Sequence, residues 1–252
     1  MTTLVQRYSK SPFARKSELS EDETMDGSHQ RCWHTVYVTW ASLTLFFCSV
    51  AFAEEYRFDR PAYLGNAELL PNWAETLARH SSQKPQIQNC LVDENLCDSR
   101  GLKSLRHILL RAADLEAERQ FSLINRYVNK RRFRRDRTHR QLSQISDQEE
   151  VFRSKWTTLL EFLRRGGDCE DYATAKYFLL RELGFPVDDL RVLVSYDRKV
   201  RGYHAVLAVK RPDDSVWFLE SNGSIIRGRH RGYHYIFAVN EKSVWDHDGE
   251  KG

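Results

Sequence analysis

Cys169 stands inside Gly166-Gly167-Asp168-Cys169-Glu170-Asp171-Tyr172-Ala173, where two opposing influences on a thiol meet. A cysteine that opens a helix faces unpaired backbone N–H groups and the positive end of the helix dipole. Both favour the thiolate, the nucleophilic form of sulfur. Asp168, Glu170 and Asp171 push the other way, because negative charge close to a thiol raises its pKa. A hard cation with oxygen ligands would reconcile the two by offsetting the carboxylates.

A cysteine nucleophile also needs an imidazole to share its proton and a third group to orient that ring. His204 opens an apolar strand, and Glu220 lies across the hairpin expected to follow it. If the chain folds back about Pro212, His204 pairs with Glu220, Val206 with Phe218 and Ala208 with Val216. Period-2 alternation then puts all six side chains on one face. A lone strand histidine is more often a satisfied polar residue than a catalyst, and the acid across the hairpin is what raises His204 above that.

The elements that must carry these groups are legible in outline. Tyr172, Ala175, Tyr177, Leu179 and Leu183 supply the apolar surface of a helix from Cys169 to Leu183, which Gly184 stops with Pro186 just beyond. Residues 102–128 carry apolar positions at the spacing of one long amphipathic helix, and a short helical patch surrounds 73–77. Strands are expected at Leu190–Tyr196, Tyr203–Val209, Val216–Ser221 and Tyr235–Val239. The fold class is α+β: N-terminal helices packed on a C-terminal antiparallel sheet in a papain-like layout, with the reactive cleft between helix and sheet.

The 252 residues are 41% hydrophobic and 12% aromatic, enough for a packed core rather than a disordered chain. A net charge of +4 is too mild to imply a nucleic-acid partner. The basic run Lys130, Arg131, Arg132, Arg134, Arg135, Arg137 and Arg140 could dock an acidic partner or anionic lipid, or be a solvated loop. Only Phe133 interrupts it, so it makes a poor single-strand nucleic-acid groove.

Residues 36–50 form an uncharged apolar run, too short for the about 20 residues of a membrane span. Ala51-Phe52-Ala53 follows as a cleavage signal, so residues 1–53 read as an export leader and 54–252 as one mature domain. Met25 is the expected true start, since it gives a leader of ordinary length. Export suits the cysteines: with Cys32 and Cys48 in the leader, Cys90 and Cys97 can close a small disulfide loop, leaving Cys169 as the free thiol.

Residues 165–173, Ala175-Lys176-Tyr177, Leu183-Gly184, His204-Ala205-Val206-Leu207-Ala208-Val209 and Leu219-Glu220-Ser221-Asn222 resemble the bacterial transglutaminase-like cysteine proteinases. Weaker likeness extends to Asn129, Asp136, Trp156, Asn240 and Trp245. The resemblance implies a transglutaminase-like fold and a periplasmic, calcium-dependent cysteine endopeptidase. Such an enzyme cuts a large surface adhesin near a paired-alanine site, releasing cells from biofilm, and an inner-membrane cyclic-di-GMP receptor sequesters it. Carried over, Cys169 is the nucleophile and His204 the base and then the acid. Asp168 and Glu170 bind Ca2+, with Asp171 a further ligand.

Two positions depart from the family's pattern. Its triad acid is an aspartate, whereas Glu220 stands here, and Asn222 is an alternative orienting group. The 130–155 loop is longer and more basic than usual. A transglutaminase or amidase using the same triad, and a non-catalytic binding module, are the alternative functions. The Cys169 backbone N–H is expected in the oxyanion hole, and Trp156 either lines the cleft or fills the core.

Overall fold

The computed structural model describes residues 56–135, 155–228, 230 and 232–247. The leader, the Met25 start and Arg137 and Arg140 of the basic run lie outside the described residues.

Among the described residues, five helices precede most of the sheet. They are α1 (Pro71–Val92), α2 (Arg100–Ala113), α3 (Ala117–Asn129), α4 (Leu159–Arg165) and α5 (Cys169–Glu182). The short patch expected near residue 73 is in fact the first turn of the 22-residue α1, which runs on through Pro85. A proline costs a helix one N–H and a steric clash. Burial of Trp73, Thr76, His80, Ile87 and Cys90 on one face outweighs that cost. The single helix expected over 102–128 is two, interrupted at Asp114-Leu115-Glu116. Both helices bury their apolar stripes in the same core, so the hydrophobic period carries on across a turn it cannot register.

Seven strands form one antiparallel sheet: β1 (Ala62–Asn66), β2 (Leu190–Asp197), β3 (Gly202–Lys210), β4 (Val216–Leu219), β5 (Ile225–Arg227), β6 (Tyr233–Val239) and β7 (Ser243–Asp246). Their order is β1-β7-β6-β2-β3-β4-β5, so β3, carrying His204, lies near the middle. Alternation divides the sheet's side chains. Ala205, Leu207, Val209, Trp217 and Leu219 join the core shared with the helices. Val206, Ala208, Val216 and Phe218 pack with Tyr56 and Tyr233 in a second cluster.

α5 is the helix most deeply built into the protein. Tyr177, Phe178, Leu179 and Leu180 are all buried, each contributing about 1.5–3 kcal/mol of apolar transfer free energy. Gly184, at φ +88°, takes the left-handed conformation just past its end. Trp156 is fully buried and its ring packs 5.4 Å from that of Trp73, so it belongs to the core and not to a cleft wall. Cys90 and Cys97 form a disulfide, and Cys169 is the free cysteine among the described residues. No helix among the described residues is long and apolar enough to cross a membrane.

Candidate active site

The start of α5 is fixed by a tight double constraint. Gly166 ends α4 at φ +72°, donating its N–H to Phe162, and a Cβ there would collide with the carbonyl of Arg132. Gly167 runs beside the 131–134 segment, its carbonyl accepting the N–H of Arg134 at 2.8 Å. A Cβ on Gly167 would strike the Asp171 carboxylate, which accepts the N–H groups of Thr157 at 2.7 Å and Asp168 at 3.2 Å. Asp171 therefore caps the helix that presents Cys169. Both of its oxygens already hold backbone donors, a structural duty that spacing alone did not reveal.

Cys169 is half-buried against the core. Its thiol donates to Glu170 Oε2 at 3.4 Å, and the N–H of Ala205, the residue after His204, is directed at the sulfur. Burial first, then the charges of Glu170 and Asp168, push the thiol well above its ordinary range; the Ala205 N–H pulls the other way. Glu170 is itself pushed well above the usual carboxylate range by burial and by the charges of Asp168 and Asp171. The carboxylates thus push the thiol up as expected, and burial pushes harder still.

His204 and Glu220 meet, with the ring Nε2 2.8 Å from Glu220 Oε2. An ionised carboxylate only accepts, so this contact sets the neutral ring as the Nε2–H tautomer and leaves Nδ1 to take a proton. The register that brings them together differs from the expected one by two residues: Ala208 faces Phe218, and Lys210 faces Val216. A slip of two keeps every side chain on its face, which is why the pair still forms. Asn222, the alternative orienting group, is exposed, and its Oδ1 accepts from the backbone and hydroxyl of Ser224.

Three groups hold Glu220: Tyr233, which sequence reasoning passed over, and Lys176 and Asn129, to which it gave no role. The Tyr233 hydroxyl donates to Oε1 at 2.7 Å. The Lys176 ammonium, fully buried, donates to the carbonyls of Glu220 at 2.6 Å and Leu219 at 3.3 Å. Asn129 donates to the Glu220 carbonyl at 3.1 Å. Burial lowers the Lys176 pKa to about 7, against the pull of Glu220. Lys176 was legible only as lying two turns beyond Cys169 on the same helix, and nothing local points from Tyr233 to Glu220.

Among the described residues, no three side chains of His, Cys, Asp or Glu converge as a metal-binding group. The donor chemistry nonetheless suits a hard cation: Asp168 and Glu170 are buried, all-oxygen and mutually repelling. Calcium commonly completes its shell with backbone carbonyls and water.

A thiol at the head of a buried helix, beside a strand whose histidine is paired to an acid, defines a transglutaminase-like cysteine hydrolase. The family model for the bacterial transglutaminase-like cysteine proteinases matches residues 87–247, and the chain belongs to that family. It is a cysteine protease. Among solved structures it is similar to calcium-bound LapG of Legionella pneumophila, with 22% identity and a TM-score of 0.51 over 59% of this chain and 79% of that one. EGTA-treated LapG from the same organism is similar at 21% identity and a TM-score of 0.52, covering 67% and 87% of the two chains. At that identity the likeness speaks for the fold. No curated protein matches the chain.

Proposed function

We propose that this protein is an exported, periplasmic, calcium-dependent cysteine endopeptidase that cuts a large surface adhesin and thereby controls biofilm attachment. A cyclic-di-GMP receptor of the inner membrane is its proposed regulator. The observation that carries the catalytic part is the His204–Glu220 contact on the strand whose Ala205 N–H meets the Cys169 sulfur. Family membership supports the peptidase activity and the likeness to a calcium-bound protein supports the cation, while the adhesin and the receptor rest on the family resemblance in the sequence.

In this reading Nδ1 of His204 takes the thiol proton, and Sγ of Cys169 attacks the scissile carbonyl carbon. The Cys169 backbone N–H steadies the oxyanion that forms. As the C–N bond breaks, the imidazolium returns its proton to the departing amine, leaving a thioester. Water, deprotonated by the same ring, then displaces the sulfur and regenerates the thiol. Asp168 and Glu170 are the residues that would hold Ca2+, and Asp171 would join them only through lone pairs left over from its two backbone donors. A bound cation would cancel the charges that now raise the thiol pKa and would compete with the thiol for Glu170.

The test is cleavage of candidate adhesin N-terminal fragments by the full chain, with Ca2+ or with chelator. Cleavage with Ca2+ that is lost in Cys169→Ala is the expected result. Cutting that survives Cys169→Ala would overturn the mechanism.

A further inference from the structure

Glu220 sits almost entirely out of solvent, and its two carboxylate oxygens have different partners. Oε2 meets His204 Nε2 at 2.8 Å, and Oε1 accepts the Tyr233 hydroxyl at 2.7 Å. Tyr233 belongs to β6, which is separated from β4 by β2 and β3, so its side chain reaches across two strands to make this contact. Its ring stands 5.8 Å from that of His204 and is stacked on His230 at 3.5 Å.

Tyr233 therefore contacts the acid and flanks the base, yet it has no partner role in proton transfer. Glutamate has one more rotatable bond than aspartate, so a longer acid needs a second anchor to present one oxygen steadily to the imidazole. Resting on the cysteine-protease reading, we propose that Tyr233 is a positioning residue: it pins the Glu220 carboxylate so that His204 is held as the Nε2–H tautomer with Nδ1 free.

Several charged or titratable groups surround that carboxylate. His204 faces it from β3, Tyr233 from β6, and Lys176 of α5 grips its backbone. His230 stacks behind Tyr233, and Asp197 of β2 acts on both His230 and Tyr233. Burial and the Glu220 charge raise the Tyr233 pKa, so its hydroxyl stays protonated and able to donate.

Long-range nitrogen–proton NMR spectra of His204 test this in the full chain, with the signal assigned by His204→Gln. The unsubstituted protein should show the Nε2–H tautomer. Tyr233→Phe keeps the ring on which His230 stacks and removes only the hydroxyl, and it should mix the two tautomers. Where cleavage is measured, kcat should fall about tenfold with KM held within about twofold, as expected for one lost hydrogen bond to a charged group. A His204 signature unchanged by Tyr233→Phe overturns the inference even if Cys169→Ala shows the enzyme to be a thiol protease. Absence of thiol-dependent cleavage would instead overturn the underlying reading, while the spectrum still decides whether Tyr233 controls the ring.

Discussion

Glu220 and His204 touch at 2.8 Å without facing each other across the strands that carry them. The β3–β4 register pairs Leu207 with Leu219; carried one step on, it sets Glu220 against Val206. His204 and Glu220 are therefore diagonal neighbours, a separation of about 7–8 Å between backbones that long side chains can span. The extra methylene of glutamate suits that diagonal, and the departure from the family's aspartate becomes a matter of reach.

Glu220→Asp should accordingly lower kcat about tenfold to a hundredfold with little change in KM, because the shortened carboxylate no longer meets Nε2. Steady-state cleavage kinetics check this. An aspartate variant as active as the parent would remove the geometric argument.

Metal removal should act at Glu170. Without a cation, Glu170, Asp168 and Asp171 repel one another and the thiol bonds to Glu170. Millimolar Ca2+ should raise the melting temperature by several degrees, corresponding to roughly 1–3 kcal/mol. Glu170→Gln should raise the melting temperature of the metal-free protein and blunt the response to Ca2+. Differential scanning calorimetry with Ca2+ or EGTA separates these outcomes.

Gly166→Ala should cost about 2–4 kcal/mol and reduce activity together with stability. The substitution forces a Cβ at φ +72° and into the Arg132 carbonyl, displacing the loop that feeds α5. Urea unfolding read alongside cleavage would check the coupling. A variant of normal stability would mean that the loop yields without strain.

Stability should fall in mild acid. Burial lowers the His80 pKa to about 4, and its ring stacks 3.6 Å from that of Phe178. Burial likewise lowers His247 to about 3. The unfolded chain takes up these protons below about pH 6.5 while the folded one does not. Stability present above pH 6.5 is therefore lost as pH drops toward 4, by about 1–3 kcal/mol for His80. His80→Phe should flatten part of the decline in urea titrations at pH 7 and pH 4.5.

The sequence disclosed what depends on local signals. The α5 helix is bounded by a glycine pair and by Gly184, so its expected limits differ from the observed Cys169–Glu182 by a single residue. The central strands announced themselves through Val, Leu and aromatic alternation, while β1, β5 and β7 are five residues or shorter and gave too little pattern. The hairpin register escaped by two because nothing in Arg211-Pro212-Asp213-Asp214 distinguishes one turn from a slightly longer one. Face parity survived, and the His204–Glu220 pair with it. Tyr233 was invisible since its partner is thirteen positions away and lies beyond two intervening strands. The capping duty of Asp171 was hidden for another reason: a carboxylate at that spacing serves a helix end as readily as a metal.

Lys176 has a consequence for how rigidly the site is held. One helix carries Cys169 at its head and, two turns later, an ammonium clasped by the carbonyls of Leu219 and Glu220. Prising the two walls of the site apart would break both of these bonds at once and open packed interior to water. Helix head and sheet are thereby riveted into one block.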